Sequence, residues 1–168
     1  MMTGQGKTRQ LSAAIFLGFI SLIFVATISA QKLEVIDAAG HSVTLTPAQI
    51  ANLPHVTVEV SDHGSTARFE AVPLSAVLST GGIQLGDTLR GARMTEAVSV
   101  EGADGYRVVF ALAEIDPAFA MREIVLADKR DAKPLDAKEG PFRVVAPGDK
   151  RGARWVRQVT TLRVVVVK

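Results

Sequence analysis

The sequence predicts an α+β fold, a single sheet-rich domain of mixed β-structure with a few short helices. Three observations carry this. Apolar and polar residues alternate over several short stretches, as where Val56, Val58 and Val60 are separated by Thr57 and Glu59, the two-residue period of a half-buried strand. Hydrophobic residues make up 48% of the chain and aromatic ones only 5%, so the core must be packed by aliphatic, largely β-branched side chains that favour strands. The helical segments are short and irregularly placed, which argues against a regularly alternating doubly wound sheet. No internal repeat or low-complexity tract interrupts the pattern.

Residues 33–37 and 42–45 alternate around Ala38-Ala39-Gly40-His41 and read as an opening hairpin. Thr46-Pro47 then starts a short helix through Ala51, with Thr46 as N-cap and Pro47 at the first helical position. The helix ends before Leu53-Pro54. A strand over residues 56–60 turns at Ser61-Asp62-His63-Gly64 into a partner around residues 67–72. Pro73 opens a second helix, and Gly81-Gly82 supplies its left-handed end.

Residues 94–100 and 106–111 form a further hairpin about a turn at 101–105, followed by a short helix or turn at 113–117. Ile124 to Ala127 is a short apolar run expected as a buried strand, and residues 128–138 carry charges of both signs expected as a solvated connection. Val144-Val145 and residues 161–167 supply the last strands.

Residues 1–30 place Lys7 and Arg9 ahead of an uncharged apolar run that ends in Thr27-Ile28-Ser29-Ala30. That order is the layout of a secretory signal peptide, which predicts a mature domain over residues 31–168 in the periplasm or outside the cell; a retained membrane anchor is the alternative. All 17 acidic residues follow Ala30, and so do 17 of the 19 basic ones. The mature chain is therefore formally neutral, which removes the electrostatic case for binding nucleic acid and, after cleavage, leaves no membrane segment. The chain has no cysteine, so no disulfide supports it and no thiolate is available to a metal.

Most chemical signatures are missing. No phosphate-binding Walker pattern, dinucleotide fingerprint or nucleophile elbow occurs. His41, His55 and His63 are too scattered for a recognised zinc pattern, and the Ser61-Asp62-His63 run is better explained as a polar turn.

One stretch stands out. Between Gly140 and Gln158, Arg143, Lys150, Arg151, Arg154 and Arg157 face a single acid, Asp149, with Gly148 and Gly152 among them. Guanidinium forks match carboxylate or phosphate oxygens two at a time, and glycines let backbone approach a ligand. Two readings stand: an anion site, or a solvated basic turn at a sheet edge. Trp155 likewise reads as a core anchor beneath the loop or as a stacking platform for a flat heterocycle.

The order of these residues resembles the C-terminal part of the sulfite-oxidase-type molybdopterin-binding domain family. The Gly140-Pro141-Phe142-Arg143 step, the Val144-Val145-Ala146-Pro147-Gly148 turn and the Arg154-Trp155-Val156-Arg157 step carry the likeness. Upstream, Val72-Pro73-Leu74 with Gly81-Gly82, and Ala103-Asp104-Gly105-Tyr106, resemble two further family motifs.

The resemblance implies that fold. It also implies molybdopterin as cofactor, with Arg143, Lys150, Arg154, Trp155 and Arg157 as its contacts. Trp155 stands where the family has a serine, and the family's molybdenum-ligating cysteine would fall around Ser61. The expected function is binding of an anionic pterin-type cofactor or other small anionic ligand at the basic loop, in redox chemistry or beside a periplasmic redox partner. The alternative is a cofactor-free binding or sensor-partner module. Arg143 and Arg157 are expected to converge on one pocket and, as loop arginines, to be replaceable without loss of the fold.

Overall fold

The computed structural model describes residues 31–62 and 65–168. The expected signal peptide and His63 lie outside them. Two five-stranded sheets hold the chain. The first contains β1 (Leu33–Ile36), β2 (Ser42–Leu45), β5 (Glu96–Gly102), β6 (Arg107–Ala111) and β10 (Val159–Val166), in the order β2-β1-β10-β5-β6. Only β1 and β10 run parallel in it. The second sheet is wholly antiparallel and contains β3 (Val56–Asp62), β4 (Ser65–Pro73), β7 (Val125–Arg130), β8 (Lys133–Pro134) and β9 (Arg143–Val145).

One apolar cluster joins the sheets, with Leu33, Val98, Phe110 and Leu162 from the first packed together with Phe69, Val72, Leu126 and Val144 from the second. Helices α1 (Pro47–Ala51), α2 (Leu74–Thr80) and α3 (Leu112–Ile115) contribute Ile50, Val77 and Leu112 to it. The sheet-rich α+β expectation holds. Among the described residues, no helix is long and apolar enough to cross a membrane.

Local signals account for several elements. Thr46 caps α1 as expected by accepting from the Gln49 N–H, and the Gln49 side chain accepts in turn from the Thr46 N–H, a reciprocal box. At the end of α2 the left-handed residue is Gly82, with φ of 90°. Gly81 is required for another reason, since a Cβ there would stand 2.5 Å from the Val35 side chain.

Two expectations are corrected. Met94 belongs to a 3-10 turn over Gly91–Thr95 rather than to a strand, and β5 starts at Glu96. The charged segment after Ala127 is also no open connection: Asp128 to Arg130 continue β7, and Asp131-Ala132 reverse the chain into β8. Both turn residues take positive φ, 51° and 62°, without a glycine or asparagine to advertise the turn.

The stitching between the sheets positions the basic segment. β9 belongs to the second sheet, yet Val144 N–H donates to the Val156 carbonyl at 2.8 Å and Val159 N–H to the Phe142 carbonyl at 2.9 Å. Residues 142–144 are thereby tied to the lead into β10 of the first sheet. On the other side of that lead, Ala103 N–H donates to the Gln158 carbonyl at 3.0 Å, bringing the β5–β6 hairpin alongside.

Candidate basic pocket

The loop between β9 and β10 is held closed from within. Trp155 is only 5% exposed, and its indole N–H donates to the Ala146 carbonyl at 3.1 Å across nine residues. A 3-10 turn over Gly152–Arg154 precedes it, with Trp155 N–H donating to the Gly152 carbonyl. Trp155 is thus the core anchor of the loop. Its ring is buried and the Arg143 guanidinium sits 5.6 Å from its centroid, although the residue also borders the cavity above it.

Above this anchor lies a cavity of about 450 Å³ lined by Asp104, Tyr106, Arg143, Arg151, Gly152, Ala153, Trp155 and Arg157. Four segments build it. Arg143 comes from β9, Arg151 to Trp155 from the 3-10 loop, Arg157 from the lead into β10, and Asp104 and Tyr106 from the β5–β6 hairpin. Tyr106 straps two of these walls together, its hydroxyl donating to the Ala153 carbonyl at 2.7 Å. Gly102 keeps the hairpin close: a Cβ there would meet the Arg157 carbonyl at 2.6 Å.

Arg143 and Arg157, fourteen positions apart, do line one cavity, but they differ in kind. Arg143 is 4% exposed. Its Nη1 donates to Glu139, and its guanidinium packs against Phe69 at 5.5 Å as well as against Trp155. Burial lowers its pKa, Glu139 opposes that shift, and the nearby charges of Arg157 and Arg130 add to it. An arginine nevertheless stays cationic at any ordinary pH. Its Nε is buried without a hydrogen-bond partner among the described residues. Arg143 is therefore part of the packed interior, and the expectation that it can be removed without cost to the fold is corrected. Arg157 and Arg151 are exposed, and neither forms an ion pair among the described residues.

Two members of the expected set lie elsewhere. Lys150 is exposed and does not line the cavity. Arg154 points to a different cavity, of about 430 Å³, where it grips Asp149 through Nε at 2.9 Å and Nη2 at 2.7 Å, approaches Glu114 at 3.4 Å and lies 4.4 Å over the Phe110 ring. The bond to Asp149 is the main cause of its raised pKa. Its charge is spent within the protein. Sequence reasoning missed Asp104 and Tyr106 as wall residues, although the Ala-Asp-Gly-Tyr motif contains both.

These residues fit a molybdopterin-type group only in part. The Arg143 Nε, and Arg151 and Arg157, all without a partner among the described residues, suit its anionic portion. The metal portion finds no counterpart: the sequence has no cysteine, and Ser61 is exposed on β3 opposite Thr66, outside the cavity lining. Among the described residues, no group of three or more His, Cys, Asp or Glu side chains could hold a metal ion.

The family model for the oxidoreductase molybdopterin binding domain matches residues 24–167. Among solved structures, the chain is similar to the crystal structure of the sulfane dehydrogenase SoxCD from Paracoccus pantotrophus, with a TM-score of 0.64 and 18% identity. The match covers 82% of this chain and 39% of that one, and at this identity it speaks for the fold alone. No curated protein sequence matches the chain.

Proposed function

This chain belongs to the oxidoreductase molybdopterin-binding domain family, and on that premise we propose that it is a ligand-binding module that holds an anion in the Arg143–Arg151–Arg157 pocket and forms no molybdenum centre of the family's thiolate type. The carrying observation is the mismatch between the two halves of the site. Three guanidinium groups line one cavity, whereas no thiolate exists anywhere in the chain. A soft sulfur ligand cannot be replaced by the Ser61 hydroxyl without changing both affinity and redox tuning.

The proposal extends to location and partners. Residues 1–30 act as a cleaved signal peptide, and residues 31–168 work in the periplasm or outside the cell, beside a redox or sensor partner protein. The order of basic, apolar and small residues in the first thirty positions supports this.

The test is metal and pterin analysis of protein expressed from the full-length chain in a host that makes the cofactor. The expected result is molybdenum far below stoichiometric. A preparation carrying close to one molybdenum per chain would show the proposal wrong and make the redox-enzyme reading the better one.

A further inference from the structure

We propose that the turn at residues 117–121, with the neighbouring Arg122 and Glu123, is the contact face of a two-fold symmetric dimer with a second copy of this chain. The face shares no lining residue with the arginine cavity, and the inference stands apart from the anion-binding reading.

Exposed apolar surface is the first argument. Met121 is fully exposed, and Phe119, two positions before it on the same turn, is half-exposed. Beside Met121 lies an open hollow of about 740 Å³ whose apolar walls are Val58 of β3, Pro117, Ala120 and Pro147. A knob standing next to a hollow on one surface is self-complementary, since a two-fold axis between them sets the Met121 of each copy into the hollow of the other. Met and Phe are also among the side chains enriched where proteins meet.

Rigidity is the second. The turn is fixed from within by Asp116, which is 1% exposed. Its Oδ1 accepts from the Ala118 N–H at 2.9 Å, its Oδ2 from the Gly86 N–H, and its carbonyl from the Phe119 and Ala120 N–H groups at 3.0 Å each. A turn already ordered gives up little conformational entropy when a partner docks, so more of its apolar contact is realised as affinity.

Charge names the partner. Arg122 and Glu123 are exposed at the rim of the hollow, adjacent in sequence and opposite in sign, and neither forms an ion pair among the described residues. The Arg122 stem runs close over Gly148, where a Cβ would stand 3.2 Å from its Cδ. Across a two-fold axis the Arg122 of one copy meets the Glu123 of the other, and the reverse. A second copy therefore satisfies the pair twice, which a partner surface of a single sign does not. The face is small, so the dimer is a weak one.

Protein expressed from the full-length chain is followed by sedimentation velocity at low salt from about 10 μM to about 1 mM, the concentrations at which a small interface associates. The mass is expected to rise from one chain toward two. Met121→Asp weakens association about tenfold or more, because it places an unpaired charge inside the contact. Arg122→Glu alone and Glu123→Arg alone each set like charges against one another across the axis and leave monomers. Mixed in equal amounts, these two variants form a heterodimer, since every charge then meets its opposite. The Arg122→Glu, Glu123→Arg double variant dimerises as the wild type does. All three positions are exposed, and unchanged thermal unfolding of each variant checks that the fold is kept. A wild type that stays monomeric throughout, whatever else covers the face, overturns the inference. So does a dimer that Met121→Asp and the single charge variants leave intact, or a mixture of those charge variants that stays monomeric.

Discussion

Arg143→Ala lowers the free energy of unfolding by about 3 kcal/mol, because it strips a buried cation from a carboxylate that burial has left dependent on it. Among the described residues Glu139 keeps only the Arg130 ion pair, at 3.5 Å, and the Phe69 and Trp155 rings lose the guanidinium that packs against both. Urea unfolding followed by tryptophan fluorescence measures this. Arg157→Ala, which removes an exposed side chain, changes stability by no more than about 0.5 kcal/mol. The Arg143→Ala, Glu139→Ala double variant loses less than the two single variants together, since their partners are removed at once. A single Arg143→Ala variant as stable as the wild type would return that residue to the loop surface. The same burial makes Arg143 a poor probe of ligand binding, a task better given to Arg151 and Arg157.

Trp155→Ser restores the residue type that the family resemblance places at this position, and it is expected to cost about 3–5 kcal/mol, the range for truncating a large buried aromatic side chain. It removes the strut that closes residues 146–155 and leaves the Ala146 carbonyl without its buried donor. Trp155→Phe keeps most of the packing and loses about 1 kcal/mol through that hydrogen bond. If Trp155→Ser instead unfolds like the wild type and only weakens ligand binding, the indole is a ligand platform and its place as core anchor is wrong.

What the sequence made legible was whatever short-range chemistry announces. The Thr46-Pro47 helix start, the hairpin after Ile36 and the Gly81-Gly82 helix end are each specified by residues within a few positions of one another. The continuation of β7 through Asp128-Lys129-Arg130 was hidden, because charged side chains on a short hairpin near the sheet margin resemble a solvated loop. Its turn, at Asp131-Ala132, lacks the glycine that usually marks positive φ.

The site was half legible for similar reasons. Order along the chain picked out Arg143 and Arg157, yet Lys150 and Arg151 are neighbours in one basic run, and only the path of the loop decides which lines the cavity. Tyr106 reaches Ala153 across 47 positions, a contact no local pattern signals. The pairing of Glu139 with Arg143 has helical spacing in a segment that is not helical, so its existence depends on the tertiary path around residues 139–143.

The central claim, that the pocket holds an anion on arginines without a metal, is tested most directly by a crystal of the protein soaked in selenate, a dianion whose selenium scatters anomalously. The expected result is one strong anomalous peak inside the cavity, with its oxygens within hydrogen-bonding distance of Arg151 and Arg157 and of the Arg143 Nε. A peak only at Lys150, at Arg154 or on the outer surface, with the cavity holding water alone at the same selenate concentration, would contradict the account.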